Sequence, residues 1–195
     1  MMLDENRMLV SARCSHPNPN GWCEFEEDKI SPPSRAYLKL WELFTVHGIR
    51  PSAGERVLDM GASPGGWTWV LSGLGCSVTA IDKAPLDFAV AAMNGVEYIQ
   101  ASAFGLRPAV CGSVDWLFSD IICYPEKMMQ LVRRWQEEGT VKNFVCTVKL
   151  QGNNTVAVLD EFLQVPGSSL IHLHANKHEH TWVLKKPTPL KTTIS

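Results

Sequence analysis

From residue 56 onward, short apolar runs alternate with stretches whose apolar residues recur every three or four positions. The short runs predict strands at residues 56–60, 77–81, 96–99, 115–119, 143–149, 170–174 and 181–184. The longer pattern predicts helices at 67–74, 86–93, 125–138 and 155–164. Upstream, Ser31 and two prolines make a good helix start. Tyr37, Leu40, Trp41 and Phe44 then recur at i, i+3, i+4 and i+7, the spacing of an amphipathic helix that ends near Gly48. Arg35, Lys39 and Glu42 share another stripe of that helix. Strand–helix alternation implies a mostly parallel sheet with helices on both faces. Only residues 175–180 separate the last two strands, too few for a parallel crossover, so one late strand must run antiparallel.

One unit accounts for residues 31–186. Residues 1–30 read as an N-terminal extension in which Pro17 and Pro19 discourage regular structure, and 187–195 as a loose tail.

The most informative stretch runs from Arg56 to Trp67: an apolar strand ending in Asp59-Met60, a loop with three glycines, then an apolar helix. That order builds a nucleotide-type pocket at the carboxyl end of a sheet strand. Gly61, Gly65 and Gly66 permit positive φ and close approach of a ligand to the backbone. The spacing is not G-x-G-x-x-G, so a dinucleotide pyrophosphate fits less well. Asp59, and Asp82 at the end of the next strand, suit a cationic ligand carrying a ribose. S-adenosyl-L-methionine is such a ligand. The plain alternative is a glycine-rich turn that binds nothing.

Composition changes this picture little. Hydrophobic residues make up 45% and charged ones 19%, ordinary values for a globular protein. A net charge of −2 announces no nucleic-acid partner, so any basic surface must be local. Candidates are Arg133, Arg134, Lys142, Lys177, Lys185, Lys186 and Lys191. The six cysteines form no C-x-x-C pair, and with an acidic start lacking a signal-like apolar core they read as reduced, mostly buried thiols. Cys14, His16 and Cys23 are one candidate zinc set and His174, His178 and His180 another, but neither has the spacing of a metal motif. The expectation is a cytoplasmic protein with no metal and no membrane span.

The residues then show a more specific pattern. Ser34-Arg-Ala-Tyr-Leu-Lys39, Val57-Leu-Asp-Met-Gly-Ala-Ser-Pro-Gly-Gly-Trp67 and Ile81-Asp-Lys-Ala-Pro-Leu-Asp87 follow one another, with Ser119-Asp120, Val148-Lys149-Leu150 and Asn176-Lys-His-Glu179 after them. This series resembles the FtsJ/RrmJ-like ribose 2′-O-methyltransferases over about residues 31–185, the later segments being closer to the RlmM-type branch, which methylates a cytidine ribose of large-subunit ribosomal RNA. The resemblance implies a Rossmann-like class I methyltransferase fold with a seven-stranded sheet. It also implies S-adenosyl-L-methionine as cofactor and RNA, most of all ribosomal RNA and not DNA, as acceptor.

That family's Lys-Asp-Lys-Glu tetrad matches Lys39, Asp120, Lys149 and Glu179. Asp120 and Lys149 each end a predicted strand at the edge that carries the glycine loop. A free lysine is a poor base at neutral pH; Lys39 nearby would lower the Lys149 pKa and Asp120 would oppose that. The implied roles are Lys149 deprotonating or steering the 2′-hydroxyl, Asp120 orienting Lys149, and Lys39 and Glu179 holding the ribose. The implied cofactor-binding set is Asp59, Gly61, Ser63, Pro64, Gly65, Gly66, Trp67, Asp82, Ser102 and Asp120.

Two departures stand out. Gln100-Ala-Ser-Ala-Phe104 replaces the segment in which the family often carries an adenine-binding Asp, leaving Ser102 in its place. Asp120-Ile-Ile-Cys-Tyr-Pro125 replaces an Asp-Met-Ala-Pro-like loop beside the acceptor. RlmM-type members also carry an N-terminal RNA-binding region for which 195 residues leave no room, so a partner or a smaller RNA is expected. Competing readings are a cofactor-binding module without catalysis and an mRNA cap 2′-O-methyltransferase.

Overall fold

The computed structural model describes residues 2–8, 10, 11, 13, 23–139, 141–151 and 155–186. A hairpin, β1 (Met2–Asp4) and β2 (Arg7–Met8), precedes helix α1 (Tyr37–Val46). Then come β3 (Arg56–Met60), α2 (Gly66–Gly73), β4 (Ser77–Asp82), α3 (Phe88–Ala91) and β5 (Val96–Gln100). The second half holds α4 (Pro108–Cys111), β6 (Val114–Ser119), α5 (Pro125–Glu137), β7 (Val141–Lys149), α6 (Thr155–Leu163), β8 (Ser168–Ile171) and β9 (Glu179–Leu184).

The main sheet has seven strands in the order β5-β4-β3-β6-β7-β9-β8. Strands β3 to β7 pair in parallel, and β9 runs antiparallel to both of its neighbours. One antiparallel strand in an otherwise parallel sheet is the expected architecture.

The pleat sorts the side chains into two cores. Val57, Trp116, Phe118, Val145 and Val183 face α1 and α2, where Tyr37, Leu40, Leu43, Trp67 and Leu71 meet them. Leu58, Leu117, Phe144, Cys146 and Trp182 face α5 and α6, against Met128, Val132, Trp135 and Phe162. Because both faces are covered, these strands read as nearly continuous apolar runs. Helix α1 is anchored by Tyr37, Leu40 and Leu43, each buried to 1% exposure or less and each worth about 1.5–3 kcal/mol.

Several elements differ from the sequence reading. The helix expected over 86–93 shrinks to the single turn of α3, started by the Asp87 carboxylate accepting from the Ala89 N–H at 2.9 Å. The strand expected to reach 174 ends at Ile171, so 172–178 form a longer connection than the turn foreseen. The β1–β2 hairpin falls in the stretch expected to be irregular. Its turn is held by Asp4, which accepts from the Asn6 N–H at 2.9 Å and the Arg7 side chain at 2.5 Å. The tail and the candidate ligands Cys14 and His16 lie outside the described residues.

Candidate active site

The carboxyl ends of β3, β4 and β6 place Asp59, Asp82 and Asp120 along one edge of the sheet. The strand order reverses between β3 and β6, with β4 and β5 laid down outward on one side and β7 on the other, and such a switch point opens a crevice beyond the strand ends. Strand β7 delivers Lys149 to the same edge, and its antiparallel register with β9 sets Glu179 directly opposite Lys149. Lys39 projects into this group from α1 and is 8% exposed despite its charge.

The four side chains close into an alternating ring. The Lys39 ammonium donates to both Asp120 oxygens at 3.1 and 3.0 Å and pairs with Glu179 Oε1 at 2.5 Å. Lys149 donates to Asp120 Oδ1 at 2.7 Å and to Glu179 Oε2. Each carboxylate thus touches both ammonium groups, and the ring is neutral. Burial disfavours the Asp120 charge, but Lys39 and Lys149 more than offset it and hold its pKa below the usual carboxylate range. Burial likewise works against the Lys149 charge, and Asp120 and Glu179 outweigh it, leaving that pKa above the ordinary lysine value. The lowering by Lys39 anticipated from the sequence is overridden because two carboxylates, not one, contact Lys149. In the resting ring Lys149 is an ammonium.

The glycine loop is shaped by protein packing on its far side. A methyl group on Gly61 (φ 78°) would lie 2.4 Å from Ile121 Cγ1, on Gly65 (φ 121°) 2.9 Å from Val90, and on Gly66 2.4 Å from the Ser34 hydroxyl. Gly61 and Gly65 thus take the positive φ read from the sequence, and the space beside all three glycines is filled by the chain itself. The indole of Trp67, expected at the cofactor, is 3% exposed and turned into the core, donating to the Ala36 carbonyl at 2.9 Å. The Ser63 N–H donates to the Asp82 carboxylate at 3.1 Å and the Ser63 hydroxyl to the Pro85 carbonyl at 2.8 Å, tying loop to β4. The Pro64 carbonyl accepts from the Asp87 N–H at 2.8 Å. Ser102 sits half-buried in the turn after β5, its carbonyl accepting from Gly105.

Asp59 is 1% exposed and accepts from the Thr68 hydroxyl at 2.6 Å. Burial first, and then the charges of Asp120 and Asp82, push its pKa up to about 7. Sequence reasoning missed Thr68; its only signal was a hydroxyl at the start of an otherwise apolar helix.

A cavity of about 680 Å³ opens beside the ring, lined by Lys39, Lys149 and Glu179, by residues 174–177 and by Cys23, Glu24, Phe25 and Glu27. Part of the N-terminal extension thus forms a wall of the site, which its composition did not disclose. Of the candidate basic residues, Lys177 lines this cavity. Arg134 is bound to the Phe104 and Leu106 carbonyls, Arg133 pairs with Glu161 and Lys142 with Asp115, all structural tasks. Lys185 and Lys186 are exposed, and Lys191 lies outside the described residues.

Among the described residues no group of His, Cys, Asp and Glu could hold a metal, and no helix is long and apolar enough to cross a membrane. The described cysteines are all free, with Cys76 and Cys146 buried and Cys23, Cys111 and Cys123 only partly so.

A family model described as FtsJ-like methyltransferase matches residues 32–174. The chain belongs to that family. The FtsJ-like match contains Lys39, the glycine loop, Asp82, Asp120 and Lys149 and stops short of Glu179. Ribosomal RNA large subunit methyltransferase M of Halorhodospira halophila is 35% identical over 153 residues, 76% of this chain and 44% of that protein. The protein of that name from Thauera aminoaromatica is 37% identical over 135 residues, 66% of this chain and 36% of that protein. This FtsJ-like chain spans less than half the length of these relatives. Among solved structures, one provisionally described as a hemolysin from Streptococcus thermophilus superposes with a TM-score of 0.65 at 16% identity, over 82% of this chain and 70% of that one. At that identity the likeness speaks for the fold alone.

Proposed function

We propose that this protein is an S-adenosylmethionine-dependent RNA methyltransferase acting on a ribose 2′-hydroxyl, with ribosomal RNA as the acceptor. The observation that carries the reading is the alternating ring of Lys39, Asp120, Lys149 and Glu179 beside a crevice rimmed by carboxylates. A ring of two ammonium and two carboxylate groups, drawn from a helix and three strands, has no place in a plain binding module.

The residues fit the cofactor by charge. Asp59, Asp82 and Asp120 stand close enough for the latter two to raise the pKa of the first, so a cationic ligand beside them would relieve their repulsion. Asp82 would hold the cofactor ribose hydroxyls, while Asp59 and the 61–67 loop would border the methionine end. When bound, S-adenosylmethionine supplies an activated methyl carbon next to a positive charge.

The chain's own part is alignment and removal of one proton. Holding the acceptor oxygen in line removes orientational entropy worth several kcal/mol. Lys39 and Glu179 hold the ribose; Asp120 fixes Lys149 through a 2.7 Å charge-assisted bond. Lys149 first releases its ammonium proton to bulk water and, as the neutral amine, then takes the proton of the 2′-hydroxyl. The resting ring favours the ammonium, so the neutral amine is the scarcer form at neutral pH; a cation in the crevice would oppose the ammonium and enlarge that share.

The test is transfer of labelled methyl from S-adenosylmethionine to unmodified ribosomal RNA, with mapping of positions that resist alkaline cleavage. A DNA of the same sequence lacks the hydroxyl and should accept nothing. Cofactor binding without transfer to RNA, or equal labelling of DNA, would overturn the proposal.

A further inference from the structure

Helix α1 brings two charged residues to this side of the fold, and the ring uses only Lys39. Three residues on, the half-buried Glu42 carboxylate reaches a different target: Oε1 accepts from the His174 N–H at 2.8 Å and Oε2 from the Ala175 N–H at 3.2 Å. These are consecutive amides in the 172–178 connection between β8 and β9, which leads directly into Glu179. Its apolar anchor, Leu173, is fully buried in the core that contains α1. Its far end is tied just past β7, where the Leu150 N–H donates to the His178 carbonyl at 2.8 Å. Glu42, His174, Ala175 and Asn176 also line the cavity beside Lys39 and Glu179.

We propose that Glu42 is a positioning residue for the reaction, clamping residues 174 and 175 so that Glu179 meets the same lysine pair that α1 helps to build. The inference rests on the methyltransferase reading of the ring. The physical reason is rigidity: a carboxylate that accepts from two adjacent amides makes two charge-assisted bonds and locks their orientation. Because both bonds start from α1, one helix sets the place of Lys39 and of the loop behind Glu179 together. A small error in this loop would move the Glu179 carboxylate out of reach of one ammonium, and such loss of alignment costs rate more than binding.

The experiment compares Glu42→Ala, Glu42→Gln, Glu179→Gln and the Glu42→Ala/Glu179→Gln double variant. Methyl transfer, cofactor affinity and amide hydrogen exchange at residues 174 and 175 are the readouts. Glu42→Ala should lower kcat on the order of tenfold to a hundredfold, as expected for two bonds to a charged group, and change cofactor affinity by less than about twofold. Glu42→Gln, which keeps one accepting oxygen, should fall between, and exchange at 174 and 175 should quicken in the same order. The double variant should be no slower than Glu179→Gln alone, since the two act through one carboxylate.

Multiplicative losses in the double variant, or an intact kcat with exchange protection gone, would overturn the positioning role. If Glu42→Ala does not fold, the same cycle built on Glu42→Gln decides. A parent that methylates no RNA, with exchange still governed by Glu42, brings down the functional reading and the role with it but leaves the clamp standing. The two failures are thereby distinguished.

Discussion

Replacing Asp59 by Asn should make the protein more stable and its cofactor binding worse, and the stability gain should depend on pH in a defined way. In the unfolded chain this carboxyl titrates near 3.8; in the fold, burial and the neighbouring carboxylates raise it to about 7. Between those values the folded protein holds a proton that the unfolded chain has lost, so stability declines as pH rises through the window. Below about 4 there is no penalty, and above about 7 it is complete. A displacement of about three pH units at about 1.4 kcal/mol each sets an upper limit of about 4 kcal/mol. Asn keeps an oxygen for the Thr68 hydroxyl and carries no charge. The gain of Asp59→Asn over the parent should therefore grow by about 2–3 kcal/mol between pH 5 and pH 8 and then level off. Urea unfolding of both proteins at several pH values measures it. A stability difference that does not vary from pH 5 to pH 8 would refute the reasoning, as would a less stable variant at pH 8. The same change should weaken S-adenosylmethionine binding about tenfold, because the crevice loses one of the charges that would face a cation.

Other outcomes bear on the ring and the loop. Lys149→Ala and Lys149→Arg should both lose methyl transfer by at least about a thousandfold while binding cofactor within a few-fold of the parent, since alanine has no base and arginine does not release its proton. Near-parental turnover in either would remove Lys149 from the proton step. Because Lys149 rests as an ammonium with a raised pKa, kcat should climb with pH from 7 toward 10; a flat profile would assign it to steering alone. Gly61→Ala should cost about 1–3 kcal/mol in a chemical melt, through positive φ and the 2.4 Å approach to Ile121, and adding Ile121→Ala should recover only the steric share. Full recovery in that pair would show that backbone strain contributes nothing.

Much of this protein was legible from periodicity and spacing. Apolar runs separated by helical patterns dictate a parallel sheet, because strands covered on both faces have no polar side to display. The short final connection dictates antiparallel pairing of β9. The glycine loop and the acids at strand ends mark the crevice, since a strand's last residue is placed by the sheet whatever its side chain.

Other features lay beyond a linear reading. Local pattern did not foresee that α3 would hold for only one turn, nor that residues 23–27 would wall the cavity beside the ring. The glycines were read as sites of positive φ and of close ligand approach; Gly61 and Gly65 do take positive φ, and packing adds a demand no local pattern announced, from Ile121, Val90 and Ser34, residues 60, 25 and 32 positions away from Gly61, Gly65 and Gly66, respectively. Trp67 was placed at the cofactor by its neighbours in sequence, whereas the helical turn after Gly66 points its indole at α1. For Lys149 the sequence set a lowering by Lys39 against an opposing effect of Asp120 without deciding between them; the fold decides it upward, because Asp120 and Glu179 both bond the ammonium, the latter through the β7–β9 register. The division has one cause. Periodicity reports which way a side chain faces along its own element; which charges and methyl groups meet across elements is decided by packing, and a charge's pKa depends on all of its neighbours at once.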